Sequence, residues 1–269
     1  MKKLRELFPV SQSPLPDRIL DALEKDGRSG ARRLACALRT ASLKKTRETE
    51  RLEKMLRFEK ELYAQGIRLI AGIDEAGMAP LAGPVIAAAV ILPKNYMLPG
   101  LNDSKKIHDS GKREALAAQL KRDAVAWSTG RVDGDEIDRL NIYQAGLFAM
   151  KLAMDGLAAI PEYLLVDARN IPFCAIPQRA IIRGDEHSAS IAAASIIAKT
   201  TRDAIMIQLD GIYPGFGLAV HKGYPTPAHL ALLKRRGPLP IHRRSFAPVR
   251  DALESAQKSL FSKNICELK

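Results

Sequence analysis

Three short apolar runs in this chain each arrive at a carboxylate. Residues 68–74 (RLIAGID) end on Asp74, residues 163–167 (YLLVD) end on Asp167, and residues 180–183 (AIIR) lead into Gly184-Asp185. Runs of this length bounded by Gly and Pro match the buried strands of an α/β sheet, and 85–92 (VIAAAVIL) and 124–131 (AVAWSTGR) supply two more. Helical patterns fall over 109–122, 141–158 with Asn141 as N-cap, 190–209 and 227–235. Three early strands followed by alternating helices and strands predict an α/β fold, a mixed sheet with helices on its faces.

Ligands of α/β sheets gather beyond the carboxyl ends of the strands, so Asp74, Glu75, Asp167 and Asp185 are placed to converge there. Neighbouring residues of a strand point to opposite faces. Asp74 and Glu75 are therefore expected to share one site only where their strand frays into the loop at Ala76-Gly77. Clustered carboxylates repel and call for a cation at neutral pH. No His/Cys set favours zinc, and an all-oxygen site suits Mg²⁺ or Mn²⁺, with a pair of ions pointing to phosphoryl transfer. Any one of these acids read alone is equally a helix cap or turn former. A small-molecule phosphatase or phosphotransferase with an Asp nucleophile would use the same set, but it leaves the charge balance unexplained.

That balance is strongly basic: 42 Lys and Arg against 30 Asp and Glu in 269 residues, a net +12. A surplus of this size favours a polyanion, because each cation set beside a phosphate releases condensed counterions. Aromatic residues make up only 5%, too few for a base-stacking platform. The first 68 residues carry 17 of the Lys and Arg against 10 acids. Pro9, Pro14 and Pro16 punctuate that region and Asp26-Gly27 offers a turn. An amphipathic helix is expected over 44–65, ended by Gly66; it is either a solvated helix or an accessory nucleic-acid grip. Residues 248–261 read as a further amphipathic helix. The longest apolar run, 85–92, is far below the roughly 20 residues a membrane span needs, and the N-terminus lacks the apolar segment of a secretory signal. Cys36, Cys174 and Cys266 lie far apart with no metal or disulfide spacing. A soluble cytoplasmic protein with no membrane contact is expected.

GIDEAG (72–77), PLAGPV (80–85), LNDSKK (101–106), Gly184-Asp185, AAASIIAKTTRD (192–203), HKGYPT (221–226) and HRRSF (242–246) together resemble bacterial ribonuclease HII, in its long form with an N-terminal extension. The resemblance runs in order over about 70–250. It implies a ribonuclease H-like five-stranded mixed sheet (69–247) behind a basic helical extension (1–68) and before a C-terminal helix and tail (248–269). The implied protein is a monomeric, two-ion Mg²⁺ or Mn²⁺ endonuclease. It cuts the RNA strand of RNA–DNA hybrids and duplex DNA 5′ of embedded ribonucleotides, leaving 5′-phosphate and 3′-hydroxyl ends. The family's metal-binding acids fall on Asp74, Glu75, Asp167 and Asp185, and its tyrosine on Tyr224, which would stack on the deoxyribose beyond the junction.

Other substrate contacts are implied at Asn102, Ser104, Lys105 and Lys106, in a turn-like stretch. Ser195 and Lys199, one helical turn apart, and Lys222 complete the set, with His221 either a phosphate donor or a satisfied structural histidine. Asp203, four residues after Lys199, is expected to pair with it rather than bind metal. Five scattered histidines offer no pair of the kind metal-free ribonucleases use. The chain departs from the family at Gly77-Met78-Ala79, where Gly-Arg-Gly is usual and recognises the 2′-hydroxyl largely through backbone groups. Methionine removes a cation and alanine adds a methyl where the sugar approaches. Ala168 likewise replaces a common glycine. Metal binding should survive these changes, while selection of a single ribonucleotide is placed in doubt. A non-catalytic or specificity-altered nucleic-acid-binding relative is the alternative.

Overall fold

The computed structural model describes residues 17–255. They pack as two units: one runs to Lys54 and takes in Met97–Gly100, and the other comprises Met55–Tyr96 and the chain from Leu101 onward. In the first, α1 (Asp17–Lys25) and α2 (Ser29–Met55) meet at the turn expected at Asp26-Gly27, where Asp26 accepts the Arg28 amide at 2.9 Å. Leu20, Leu34 and Leu38 bury together, and the Gly100 amide donates to Glu48 Oε1 at 2.8 Å. The helix expected over 44–65 is corrected at its start and in its middle. It starts at Ser29, because Ala31, Leu34, Ala35 and Leu38 carry the buried stripe upstream of the charged stretch. It also breaks at Leu56, after which α3 (Arg57–Ala64) runs to the expected stop at Gly66, whose φ is 88°.

The second unit holds a five-stranded sheet of β1 (Ile70–Ala76), β2 (Val85–Ile91), β3 (Ala126–Val132), β4 (Tyr163–Asp167) and β5 (Gln178–Ile181), ordered β3-β2-β1-β4-β5. β3, β2 and β1 pair antiparallel, while β1, β4 and β5 pair parallel. This is the expected mixed sheet. Every residue of β2 is buried, as its uninterrupted apolar run requires. Between the strands come α4 (Ser110–Asp123), α5 (Gly134–Leu140) and α6 (Ile142–Asp155), the last capped by Asn141 as expected. After β5 follow α7 (Gly184–His187), α8 (Ala189–Ile212), α9 (Leu218–His221) and α10 (Pro227–Arg236). Residues 247–255 form α11. The rest of the helix expected to 261, Cys266, and Pro9, Pro14 and Pro16 lie outside the described residues. No helix among the described residues is long and apolar enough to cross a membrane.

The strand alternation divides the core. Ala71, Ile73, Leu164 and Val166 face α6, packing on Ala145, Ala149, Met150 and Ala153. Ile70 and Leu165 face the other way, onto Ile191 of α8 and Phe58 and Leu62 of α3. At Gly72 the start of α8 lies directly on the strand, and a Cβ there would overlap the Ser190 backbone. Glu59 secures that helix start: its buried carboxylate accepts from Ser188 Oγ at 2.7 Å and from the Ser190 amide at 3.0 Å. A carboxylate at the N-terminus of a long helix is stabilising there.

Candidate active site

The site forms where the parallel pairing of β1 and β4 ends. Their ladder stops at Ile73 and Val166, but β1 stays paired with β2 as far as Ala76. The expected fray at Asp74-Glu75 is therefore one-sided. Asp74 shares the face of Gly72 and points to α8, while Glu75 starts from the α6 face and leans around the open edge. One oxygen each from Asp74, Glu75 and Asp167 then falls within 4.8 Å of the others.

Asp185 is placed differently from the expectation. β5 stops at Ile181, Arg183 turns left-handed (φ 55°), and Asp185 is carried by the single turn of α7 rather than by a strand end. Its carboxylate groups with Asp103 and Glu186, again within 4.8 Å. Sequence reasoning missed both partners. Asp103 sits inside LNDSKK and is also the N-cap of the turn Ser104–Lys106, taking the Lys105 amide at 2.8 Å, so it reads as a turn former. Glu186 is held by Lys106 at 2.9 Å and Arg183 at 2.6 Å.

The acids hold their charges at a cost. Burial first, then the charges of Glu75, Asp167 and Asp185, push the Asp74 carboxyl well above the carboxylate range, against a hydrogen bond from Ser195. Burial raises Glu75, with Arg169 opposing, and raises Asp167, with the Gly184 amide opposing at 2.7 Å. Asp185 is lifted to about 6 by burial and by Asp103. Glu75 Oε2 is shielded from solvent with no hydrogen-bond donor. A buried carboxylate oxygen that lacks a donor, among acids that repel one another, fits a hard divalent cation, and nothing in the donor set suits a soft one.

Other expected contacts separate into exposed and engaged groups. Ser104 and Ser195 are buried and bonded to each other through their hydroxyls at 2.9 Å, so they brace the turn against α8 instead of lying open to a phosphate. Asn102 accepts the Asp103 amide at 2.9 Å. Lys105 is exposed and its Nζ reaches Asp185 at 3.5 Å. Lys199 pairs with Asp203 at 2.7 Å, as expected, and its Nζ lies 5.9 Å from the centre of the exposed Tyr224 ring. Lys222 also turns toward Asp203, at 3.5 Å from its carbonyl.

The loop carrying Gly77, Met78 and Ala79 is fixed from beneath by two buried arginines. Arg243 donates to the carbonyls of Gly77 (2.6 Å), Met78 (3.0 Å) and Gly83 (2.9 Å). Arg202 donates to those of Ala82, Pro84 and Lys222 at 2.9–3.0 Å. Gly77 has a φ of 98°, and a Cβ there would overlap Arg202, so glycine is required. Met78 packs part-buried against the core facing α6, and Ala79 is exposed.

Three of the five histidines, scattered in sequence, come together in the fold. His221 stacks on His229 at 4.1 Å, and His229 Nε2 meets His242 Nε2 at 3.0 Å. The hydrogen bonds fix neutral tautomers. The Leu239 amide donates to His242 Nδ1, leaving its Nε2–H for His229, whose Nδ1–H donates to the Tyr224 carbonyl at 2.8 Å. His221 is likewise satisfied, accepting from the Gly223 amide and donating to the Phe216 carbonyl. The cluster therefore carries the Tyr224 loop and is closed to substrate. Burial and His229 lower His242 from 6.5 to about 4. A folded value below the unfolded one means that stability is intact above 6.5 and lost as pH falls toward 4. Relative to a His242→Asn variant, the wild-type chain should lose about 3 kcal/mol of unfolding free energy between pH 7 and pH 4. Denaturant titrations at both pH values check this, and a constant gap would contradict the neutral ring.

Acids gathered beyond the ends of parallel strands in a mixed sheet, ringed by Lys and Arg, define a nuclease of the ribonuclease H-like class. The family model for ribonuclease HII matches residues 71–249, and that for the ribonuclease HII N-terminal domain matches 1–63. A ribonuclease HII of Myxococcus xanthus is 58% identical over 94% of this chain and 86% of its own length. Another from Geobacillus thermodenitrificans is 51% identical over 94% and 96%. The ribonuclease H2 structure from Pyrococcus horikoshii superposes with a TM-score of 0.61 at 25% identity, covering 71% of this chain and 99% of that one. The chain belongs to the ribonuclease HII family, hydrolases with ribonuclease H activity on RNA–DNA hybrids.

Proposed function

We propose that this chain is a divalent-ion-dependent endonuclease that cuts the RNA strand of hybrids and incises duplex DNA 5′ of embedded ribonucleotides, leaving 5′-phosphate and 3′-hydroxyl ends. The observation that carries it is the group of Asp74, Glu75 and Asp167 oxygens within 4.8 Å, with Glu75 Oε2 buried and undonated. Asp74, Glu75, Asp167 and Asp185 would hold Mg²⁺ or Mn²⁺. Bound there, such ions supply water activation and charge neutralisation at the leaving oxygen.

The protein's own groups set the rest. Ser195 and the Gly184 amide orient the carboxylates of Asp74 and Asp167, and such outer partners keep ligand geometry fixed. Arg243 takes the carbonyls of Gly77 and Met78, so recognition of a 2′-hydroxyl by this tripeptide falls to its amides. Tyr224 offers an exposed ring for sugar stacking, and Lys199 beside it offers a phosphate partner. A non-catalytic role is disfavoured, since every acid such a site needs is kept and held under repulsion.

Cleavage of a long hybrid and of a duplex with one ribonucleotide should both stop on chelation and return with Mg²⁺ or Mn²⁺. Activity that persists in chelator sinks the reading. Ala79 is the cleaner probe of selectivity, because the end of Met78 lies beside Arg169. Ala79→Gly should raise cleavage at the lone ribonucleotide relative to the hybrid about fivefold, roughly 1 kcal/mol. An unchanged ratio means the methyl has no bearing on selection.

A further inference from the structure

One cation at the site belongs to none of the motifs. Arg169 follows Asp167 by two residues, across a tight reversal in which its amide donates back to the Asp167 carbonyl at 2.6 Å. The residue between, Ala168, has a φ of 52°, a left-handed conformation that costs a non-glycine residue roughly 1 kcal/mol or more. That reversal sends the Arg169 side chain back over the open edge of β1. Its Nη1 stands 3.7 Å from Glu75 Oε1, and its guanidinium carbon 4.9 Å from the centre of the Tyr143 ring. Gly146 on α6 clears the space: a Cβ there would meet Met78 Sδ at 3.0 Å and Arg169 Nη1 at 3.3 Å. Nη1 is shielded from solvent and donates no hydrogen bond. The guanidinium is thus held by an aromatic face and a helix, close to a carboxylate it does not bond.

This arrangement serves two states of the site. With Glu75 free, Arg169 offsets part of its charge. With Glu75 engaged on a cation, which is the reading proposed above and on which this inference rests, the Arg169 guanidinium is left without that carboxylate as its partner. A guanidinium with one nitrogen shielded from water and no counter-anion is costly, and the anion that the reaction brings to this edge is the phosphodiester. Guanidinium also matches phosphate geometry with two parallel donors. We propose that Arg169 is a substrate-binding residue that neutralises Glu75 in the ion-free enzyme and takes a backbone phosphate of the bound strand once Glu75 holds an ion.

Full-length wild type, Arg169→Ala, Arg169→Gln and Arg169→Lys are compared. Hybrid binding is read by fluorescence anisotropy over a salt series in EDTA, and KM and kcat over the same series in Mg²⁺. In Mg²⁺, Arg169→Ala and Arg169→Gln should raise KM about tenfold and flatten its log–log salt dependence by about 1, the signature of one lost phosphate contact. Arg169→Lys should keep the slope and recover part of the affinity. In EDTA the salt slopes of all four should agree. Unchanged KM slopes in Mg²⁺, or equal flattening in EDTA, would overturn the proposal. Should the alanine variant fail to fold, the glutamine and lysine arms decide by the same slopes. Wild type that cuts nothing in Mg²⁺ would instead remove the underlying metal reading.

Discussion

Asp74→Asn should leave a chain that unfolds at a higher temperature in chelator than wild type and cleaves hybrids on the order of a thousandfold more slowly in Mg²⁺. Both effects come from one change. Asp74 is the most burdened acid of the site, 4% exposed and raised by burial, Glu75, Asp167 and Asp185 together. Asparagine keeps its shape, and its carbonyl oxygen can still accept the Glu75 amide that Asp74 takes at 2.7 Å. What disappears is a charge that the ion-free protein holds against repulsion and that a divalent ion uses. The sign with pH follows. A folded pKa above the unfolded one costs wild type stability as pH rises, so the gain in the variant is largest near pH 8 and narrows toward acid. Calorimetry in EDTA at pH 5 and pH 8, alongside single-turnover cleavage, reads both. An active variant, or one less stable at pH 8, would contradict the assignment of Asp74 to an ion-holding cluster.

What sequence could and could not reveal divides along the range of the interactions. The strands were legible because each is a local apolar run closed by Gly, Pro or an acid, and Asp167 ends β4 as expected. The reach of Glu75 was not, since it depends on β4 parting from β1 three residues before β2 does. β5 runs over Gln178–Ile181 instead of 180–183 because Arg183 breaks into a left-handed turn, which apolarity does not signal. Asp103 was hidden by its second task as a cap. The three clustered histidines sit on separate segments at 221, 229 and 242, so no spacing rule links them. In sequence, Arg202 and Arg243 lie inside two of the motifs with nothing to mark them as structural. Only folding reveals that their acceptors are backbone carbonyls, those of the loop over 77–84 and that of Lys222.

That loop makes the largest stability prediction. Arg243 is wholly buried, and burial with Arg202 nearby lowers its pKa to about 9. Replacing a buried charge by an apolar residue is often harmless when its partners can be replaced as well. Here the partners are the backbone carbonyls of Gly77, Met78 and Gly83, which no side-chain substitution removes. Each acceptor left dry costs about 1–3 kcal/mol, so Arg243→Met should lose roughly 3–5 kcal/mol after the relief of desolvation is counted. For a chain of this size that lowers the melting temperature by about 10 °C or more. Arg243→Lys should recover only a minor part, since one ammonium cannot reproduce a planar fork across three carbonyls. Hybrid cleavage should fall along with stability even well below the melting point, because the freed carbonyls let the Gly77-Met78-Ala79 tripeptide reorient beside Asp74 and Glu75. Thermal scans and cleavage rates at 25 °C on both variants decide it: a melting point within a degree or two of wild type would show that the carbonyls are satisfied without the guanidinium.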